Sequence, residues 1–429
     1  MKKVLIVGHF WPYAPGGSKR ILGLAKYLPE FGWEPICLTT PLQKKPNFKF
    51  RIIEAPTSNI IISLKRKFHL NPTIGLQEQI GIPVKIRDRK SLTTKIIKLF
   101  EGVIAYPDVE RGWIPVAVKA AKNFLKKEKV DAMISVWPIP AHLIAKKLKK
   151  EYKIPWIADF PDLWSETYAY SYDSIRKFFD RRLEKKTIKL ADFVTTSCWP
   201  QAEVLERLHK EKEVQTVVFG YDPDKINEPP QSLTKEFTVT YTALWHGRER
   251  DPLKFFIALN NLISEGLIDP TKTKVRFYGP QRDWIETEIK EQNLSKVVEQ
   301  KGVVSWDECT KKQTESQLLL LLNWENKNEK GAFSGKFFDY LAARRPMIAA
   351  GGSGQDLVIK EMLSETNAGL YCPEVEDIKK TLLQFYSEYQ EKGAVSFKGN
   401  IEKINKYNYK EMAKKFAEIL NLIITNPKR

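Results

Sequence analysis

One feature constrains this chain more than any other: short apolar runs alternate with segments of helical period, and the alternation runs through the sequence twice. The stretch Lys3–Val7 is aliphatic after its basic start and ends at Gly8. A run with no polar side to turn toward water is expected as a strand buried on both faces, as in parallel sheets. A loop with Pro12, Pro15, Gly16 and Gly17 follows, then Ile21, Leu22, Leu24, Ala25 and Leu28 recur at helical spacing before a second strand, Glu34–Thr39. This β-loop-α-β unit opens a doubly wound α/β fold. Further strands are expected at Ala132–Val136, Trp156–Asp159 and Phe193–Ser197. Helices are expected at Val116–Lys127, Ala141–Lys150 and Ile175–Leu190. The pattern restarts with strands at Phe237–Tyr241, Val275–Tyr278, Val297–Gln300, Leu318–Asn323 and Met347–Ala350, and helices at Pro252–Glu265, Trp284–Gln292 and Gly335–Ala343.

Two α/β domains in series are therefore expected, residues 1–222 and 236–400. Pro223, Pro229 and Pro230 mark the linker between them. Residues 401–429 include an amphipathic helix, Tyr407–Ile424. The length, 429 residues, suits two domains that each bury a core. With 42% hydrophobic and 28% charged residues, collagen-like and wholly disordered classes are excluded.

The formal net charge is +18, and its position is informative. Residues 1–150 hold 28 basic and 10 acidic residues, which accounts for all of the excess. The densest part, about 44–98, carries 13 basic and 3 acidic residues and lies outside the regular alternation as a basic insertion. It contains Ile60–Ile62 followed by Lys65, Arg66, Lys67 and Phe68. Basic residues beside apolar ones suit an anionic lipid surface, while a loop packed on its own domain reads the same way. Charge alone also admits a nucleic-acid-binding protein, but no recognisable module accompanies it. Cys37, Cys198, Cys309 and Cys372 are far apart in sequence, so neither a CxxC pair nor a zinc spacing is present. Reduced thiols in a cytoplasmic protein are expected. The first apolar run is too short for a signal peptide, and Leu318–Leu322, the longest aliphatic run, is far below the ~20 residues that span a bilayer. Any membrane contact is expected at the surface.

Four segments carry candidate chemistry. Gly16 and Gly17 let the backbone approach a ligand at the start of a helix, although the GxGxxG dinucleotide fingerprint is absent. In PWIADFPDLW, Asp159 and Asp162 lie just past a strand, where carboxylates can accept sugar hydroxyls or take a proton, or simply cap a turn. In GAFSGKFFDYLAARRP, Ser334 and Gly335 precede a helix, Lys336 adds a charge and Asp339 follows. The free N–H groups and the ammonium suit a diphosphate, and the carboxylate suits ribose hydroxyls. In GRERDP, Arg248 and Arg250 could clamp phosphate oxygens or stand as surface arginines. His142, in VWPIPAH, is a candidate for proton transfer or a structural histidine.

In that order, the GG loop, PWIADFPDLW, LADFVTTS and GKFFDYLAARRP resemble the family-four retaining glycosyltransferases, most closely their bacterial and archaeal surface-polysaccharide members. The resemblance implies the GT-B fold, two Rossmann-like domains facing a central cleft, with the acceptor on the first domain, the nucleotide-sugar on the second, and a last helix crossing back to the first. It implies transfer of a hexose from a nucleoside-diphosphate sugar to a lipid-linked or polysaccharide acceptor, at the cytoplasmic face of the plasma membrane, without a metal. Asp339 stands where the family's ribose-binding carboxylate does, shortened by one methylene. The first carboxylate of that motif is replaced by Gly331, with Glu329 near it but out of register. Arg250, and after it Arg248, best matches the family's phosphate-binding cation. Gly279 and Val304 join the expected donor contacts. A sugar-nucleotide epimerase on the same fold is the nearest enzymatic alternative.

Overall fold

The computed structural model describes residues 1–9, 17–42, 48–56, 106–168, 170, 172–225, 232–243, 248, 250–325, 335–352 and 357–425. Two compact units divide the chain: Met1–Val218 together with Met412–Arg429, and Phe219–Glu411.

The first unit is built in chain order from β1 (Lys2–Val7), α1 (Gly17–Tyr27), β2 (Trp33–Thr39), β3 (Arg51–Glu54), α2 (Trp113–Leu125), β4 (Ala132–Val136) and α3 (Ile139–Tyr152). It continues with β5 (Trp156–Phe160), α4 (Ser174–Ile188), β6 (Phe193–Thr196), α5 (Trp199–Leu208) and β7 (Val214–Thr216). The strands pair in parallel in the order β3-β2-β1-β4-β5-β6-β7. Val4 to Val7 are fully buried, as are Met133, Ile134, Ile157 and Ala158 in the adjacent strands. Helices on both faces remove the strands from water, which is why those runs carry no alternation.

The second unit repeats the scheme. Its elements are β8 (Phe237–Thr242), α6 (Leu253–Ser264), β9 (Thr273–Tyr278), α7 (Asp283–Glu291), β10 (Val298–Gly302), α8 (Trp306–Thr314), β11 (Leu318–Leu322) and α9 (Lys336–Ala343). After them come β12 (Met347–Ala350), α10 (Leu357–Thr366), β13 (Gly369–Cys372), α11 (Val375–Lys392) and α12 (Ile401–Ile404). Its parallel order is β10-β9-β8-β11-β12-β13. Each sheet follows the Rossmann order, with the strand sequence reversing between β1 and β4 in one and between β8 and β11 in the other. The last helix, α13 (Tyr409–Thr425), begins in the second unit and groups with the first from Met412 onward. Within the first unit its Phe416 ring lies 5.1 Å from the Arg20 guanidinium.

The basic stretch 44–98 needs a correction. Arg51–Glu54 pairs with β2 as the edge strand of the regular sheet, so the alternation continues into it. Residues 44–47 and 57–98 lie outside the described residues, and with them Lys65, Arg66 and Lys67. No helix among the described residues is long and apolar enough to cross a membrane.

Candidate functional site

In a doubly wound sheet, ligands bind past the carboxyl ends of the strands where the order reverses. In the second unit that point lies between β8 and β11, and two of the expected cations meet there. Tyr241 is the penultimate residue of β8, and its hydroxyl accepts a hydrogen bond from Lys336 Nζ at 3.1 Å. The same ammonium stands 4.6 Å from the centre of the Tyr241 ring. Burial raises the pKa of that phenol, while the positive charge of Arg250 acts on it in the opposite direction. Arg250 also lies 5.9 Å from the ring of Trp324, two residues past β11. Two cations set against aromatic rings have the chemistry to meet an anion that brings more than one negative charge.

Lys336 is the first residue of α9, and its N-cap, Gly335, brings no capping side chain to that helix end. Its N–H groups and its positive dipole end therefore face the same side as the ammonium. One turn on, the Tyr340 hydroxyl accepts from the Thr242 backbone N–H at 3.0 Å, and Gln313 Nε2 donates to Thr242 Oγ1 at 2.8 Å. These buried bonds lock α9 against the end of β8 and so fix where Lys336 stands. Gly279 has a local reason of its own. A Cβ there would lie 1.9 Å from the carbonyl oxygen of Ala243, so no side chain fits between the ends of β8 and β9.

The other expected donor residues separate. Arg248 is 62% exposed, stacks 5.0 Å from the Trp284 ring and lies 3.6 Å from Glu288, which places it on α7 instead of beside Tyr241. The pairing of Arg248 with Arg250 as one clamp is therefore corrected: the two lie in a turn past β8, Arg248 packed on α7 and Arg250 beside Trp324. Asp339, expected on the face of Lys336, acts with Asp222 on the buried Tyr409 hydroxyl and raises its pKa further. Tyr340, four residues from Lys336, is the side chain that shares its direction. Val304 is half-buried two residues past β10. Among the described residues, nothing lies within 4 Å of the Cβ position of Gly335. Gly16, Ser334, Glu329 and Gly331 lie outside the described residues; Gly17 opens α1. Lys254 and Glu325 carried no expectation, yet they join this sheet edge. Glu325 accepts from the Gly352 backbone N–H at 2.8 Å, and Lys254 Nζ donates to the Gly352 carbonyl at 3.2 Å. The signal for Glu325 is the break to Asn323 directly after five leucines.

In the first unit, two expected catalytic groups are corrected to structural ones. Asp159 is fully buried and holds a bidentate contact with buried Arg20, Nε to Oδ2 at 2.6 Å and Nη2 to Oδ1 at 2.9 Å. It also accepts from Thr195 Oγ1 at 2.7 Å. A carboxylate committed on all sides and closed to water fastens α1 to the sheet. His142 is also fully buried, stacked 4.6 Å from Phe160. Trp156 Nε1 donates to Ser135 Oγ at 2.8 Å, and Ser135 stands 2.7 Å from His142 Nδ1. The Ser135 hydroxyl thus bridges the indole and the imidazole within the core. Burial pushes the His142 pKa down to about 3. Asp162 differs, being exposed just past β5.

Sequence reading missed His9 and Glu110. His9 lies two residues past β1, with Nε2 2.9 Å from Glu110 Oε2 and its ring edge-on to Trp113 at 4.7 Å. Burial lowers the His9 pKa to about 4 and raises that of Glu110 to about 7, with Asp108 adding to the latter. The signal was a histidine just past the carboxyl end of the first strand, next to the reversal point between β1 and β4.

These shifts make a pH prediction. The native pKa of His142 lies below its ordinary value of ~6.5, so below that pH the unfolded chain takes up a proton that the native state refuses. Its contribution to stability is complete above ~6.5 and is lost as pH falls toward 3. His9 acts in the same direction and Glu110, raised, in the opposite one, so those two largely cancel. The His142→Gln variant is expected to lose less stability than the parent between pH 7 and pH 4, measured by urea titration at each pH. Parallel losses would show that His142 does not carry this acid sensitivity.

No family model matches the chain, and no curated protein sequence matches it. Solved structures do. A glycosyltransferase from Rickettsia africae superposes with a TM-score of 0.62 at 13% identity, covering 99% of each chain. Sucrose-phosphate synthase from Thermosynechococcus elongatus gives 0.61 at 14% identity, over 99% of this chain and 100% of that one. The fold is GT-B. WaaG, a glycosyltransferase involved in lipopolysaccharide biosynthesis, gives 0.56 at 11% identity, over 97% of this chain and 99% of that one. At such identities the likeness concerns GT-B architecture, and the side chains at each strand edge stand on their own geometry.

Proposed function

We propose that this chain is a retaining glycosyltransferase that moves a sugar from a nucleoside-diphosphate donor to a lipid-linked or polysaccharide acceptor at the cytoplasmic face of a membrane. The observation that carries the proposal is the convergence of Lys336 and Arg250 on Tyr241, at the reversal point of the second sheet and at the start of α9. In glycosyl transfer from such a donor, the bond between the anomeric carbon and the diphosphate oxygen breaks and negative charge grows on that oxygen. Cations and helix N–H groups fixed beforehand stabilise that charge without reorganising, usually the largest single contribution in such chemistry. The acceptor hydroxyl forms the new bond to the anomeric carbon, and its proton passes to the departing diphosphate. In this proposal Lys336 and Arg250, with no metal, carry the diphosphate charge. The lipopolysaccharide role of WaaG and the basic first third of this chain support an acceptor at a membrane.

The test is thermal denaturation at physiological salt with UDP, GDP, dTDP or a random oligonucleotide. One nucleoside diphosphate at about a hundred times its Kd should add about 2.7 kcal/mol, and so raise the midpoint by several degrees. A shift with the oligonucleotide alone would make this a nucleic-acid-binding protein instead.

A further inference from the structure

Helix α4 (Ser174–Ile188) is built inside out. Its inward row, Arg176, Asp180 and Glu184, is 7%, 2% and 1% exposed, while Ile175, Phe178 and Phe179 on the opposite side are 65%, 60% and 50% exposed. A surface helix ordinarily turns its phenyl rings to the core and its charges to water. This one is prevented from rolling over by the bonds of its inward row. Arg176 Nε meets Asp180 Oδ2 at 2.9 Å, and Asp180 Oδ2 accepts from the Tyr170 hydroxyl at 2.6 Å. The Arg176 guanidinium donates to the Pro107 carbonyl at 2.9 Å and lies 4.8 Å from the Tyr106 ring and 4.6 Å from that of Tyr172. Glu184 accepts from the Ser165 N–H at 2.9 Å and stands 3.2 Å from His209 Nε2.

The outward face continues into cations. Arg182, Lys185, Lys186 and Lys189 are exposed and follow the apolar residues along the same stripe. The two acidic residues of the helix, Asp180 and Glu184, both point inward. Lys150, on α3, is exposed, and its charge and that of Lys186 both bear on half-buried Lys146. Like charges gathered in this way attract an anionic partner. A second copy of the chain across a two-fold axis would face these cations with identical ones.

We propose that the outward face of α4 docks on an anionic lipid surface, with Ile175, Phe178 and Phe179 entering the boundary between headgroups and acyl chains and Arg182, Lys185, Lys186 and Lys189 lying on the headgroups. Aromatic side chains on one stretch of a helix with cations beside them match the interfacial mode. The inference deepens the membrane-face part of the proposed function and rests on it for its purpose.

Co-sedimentation with phosphatidylcholine vesicles and with vesicles of phosphatidylcholine and phosphatidylglycerol tests it. The intact chain should partition to the mixed vesicles, far less to the neutral ones, and release as salt rises. The double variant Phe178→Ser/Phe179→Ser should lose about tenfold in partition. The fourfold variant Arg182→Ser/Lys185→Ser/Lys186→Ser/Lys189→Ser should lose tenfold or more. All of these side chains are exposed, so both variants should keep the parent's thermal midpoint and its nucleoside-diphosphate shift. The proposal is overturned if the intact chain stays in the supernatant, or if both variants partition as the parent does. A parent dimer that the phenylalanine variant makes monomeric, with no vesicle binding, would overturn it in favour of a second copy. Vesicle binding lost in both variants, with no nucleoside-diphosphate shift in any of them, would uphold this inference and reject the enzymatic reading.

Discussion

The Lys336→Ala variant is expected to abolish the thermal shift given by the nucleoside diphosphate and to lower kcat by about a hundredfold to a thousandfold, the usual effect of removing one fixed donor from a developing anion. The helix itself should survive, because Phe337, Phe338, Tyr340 and Leu341 anchor α9 in the core and none depends on the ammonium. Arg250→Ala should act in the same direction, since Arg250 bears on the same Tyr241 hydroxyl. Tyr241→Phe gives the graded case. It keeps the ring beneath Lys336 Nζ and removes the 3.1 Å hydrogen bond to the ammonium. A loss of about 0.5–1.5 kcal/mol, twofold to tenfold, should follow in affinity. Calorimetric titration with the nucleoside diphosphate separates these cases. Unchanged affinity in both the lysine and the arginine variants would remove the site from this strand edge.

The strands of this fold were legible where burial on both faces had left few polar residues. Ala132–Val136 and Met347–Ala350 have the bounds expected of them. Arg51–Glu54 was not legible. It is an edge strand with one side in water, and its composition matches the basic stretch around it. Gly369–Cys372 is four residues with only Cys372 buried, too short to show a period. The site was legible in residue type and only partly in geometry. Lys336 stands at a helix start, as the sequence pattern expects, while the close approach at Gly279 shows only in the structure. Arg248 and Arg250 are two apart in a turn, and no periodicity says which one faces the sheet. Asp159 shows the deeper limit. A carboxylate past a buried strand looks the same in sequence whether it meets a substrate or an arginine that is 139 positions away.

That arginine gives the second large effect. Asp159→Ala leaves the Arg20 guanidinium fully buried with its counter-charge gone, and breaking a buried pair from one side costs about 3–5 kcal/mol. Against a total stability of about 5–15 kcal/mol for a domain, such a loss should move the first unit's unfolding to clearly lower urea. The unit carries its own reporters for this, Trp113 and Trp156, both fully buried in its core. Arg20 cannot turn outward to recover hydration, because its Nη1 lies 3.7 Å from Met412 Sδ and its plane stands 5.1 Å from the Phe416 ring. Removing both charges should restore much of the loss: Arg20→Met/Asp159→Leu replaces the pair with side chains that the apolar surroundings accept. A proton-transferring carboxylate behaves in the opposite way. Asp159→Asn would then leave the urea midpoint alone and stop turnover, and the arginine variant would have no effect on either. Rescue by the double apolar variant belongs only to the structural role. It would place the chemistry of the first unit on groups that reach solvent, with exposed Asp162, just past β5, as the first to vary.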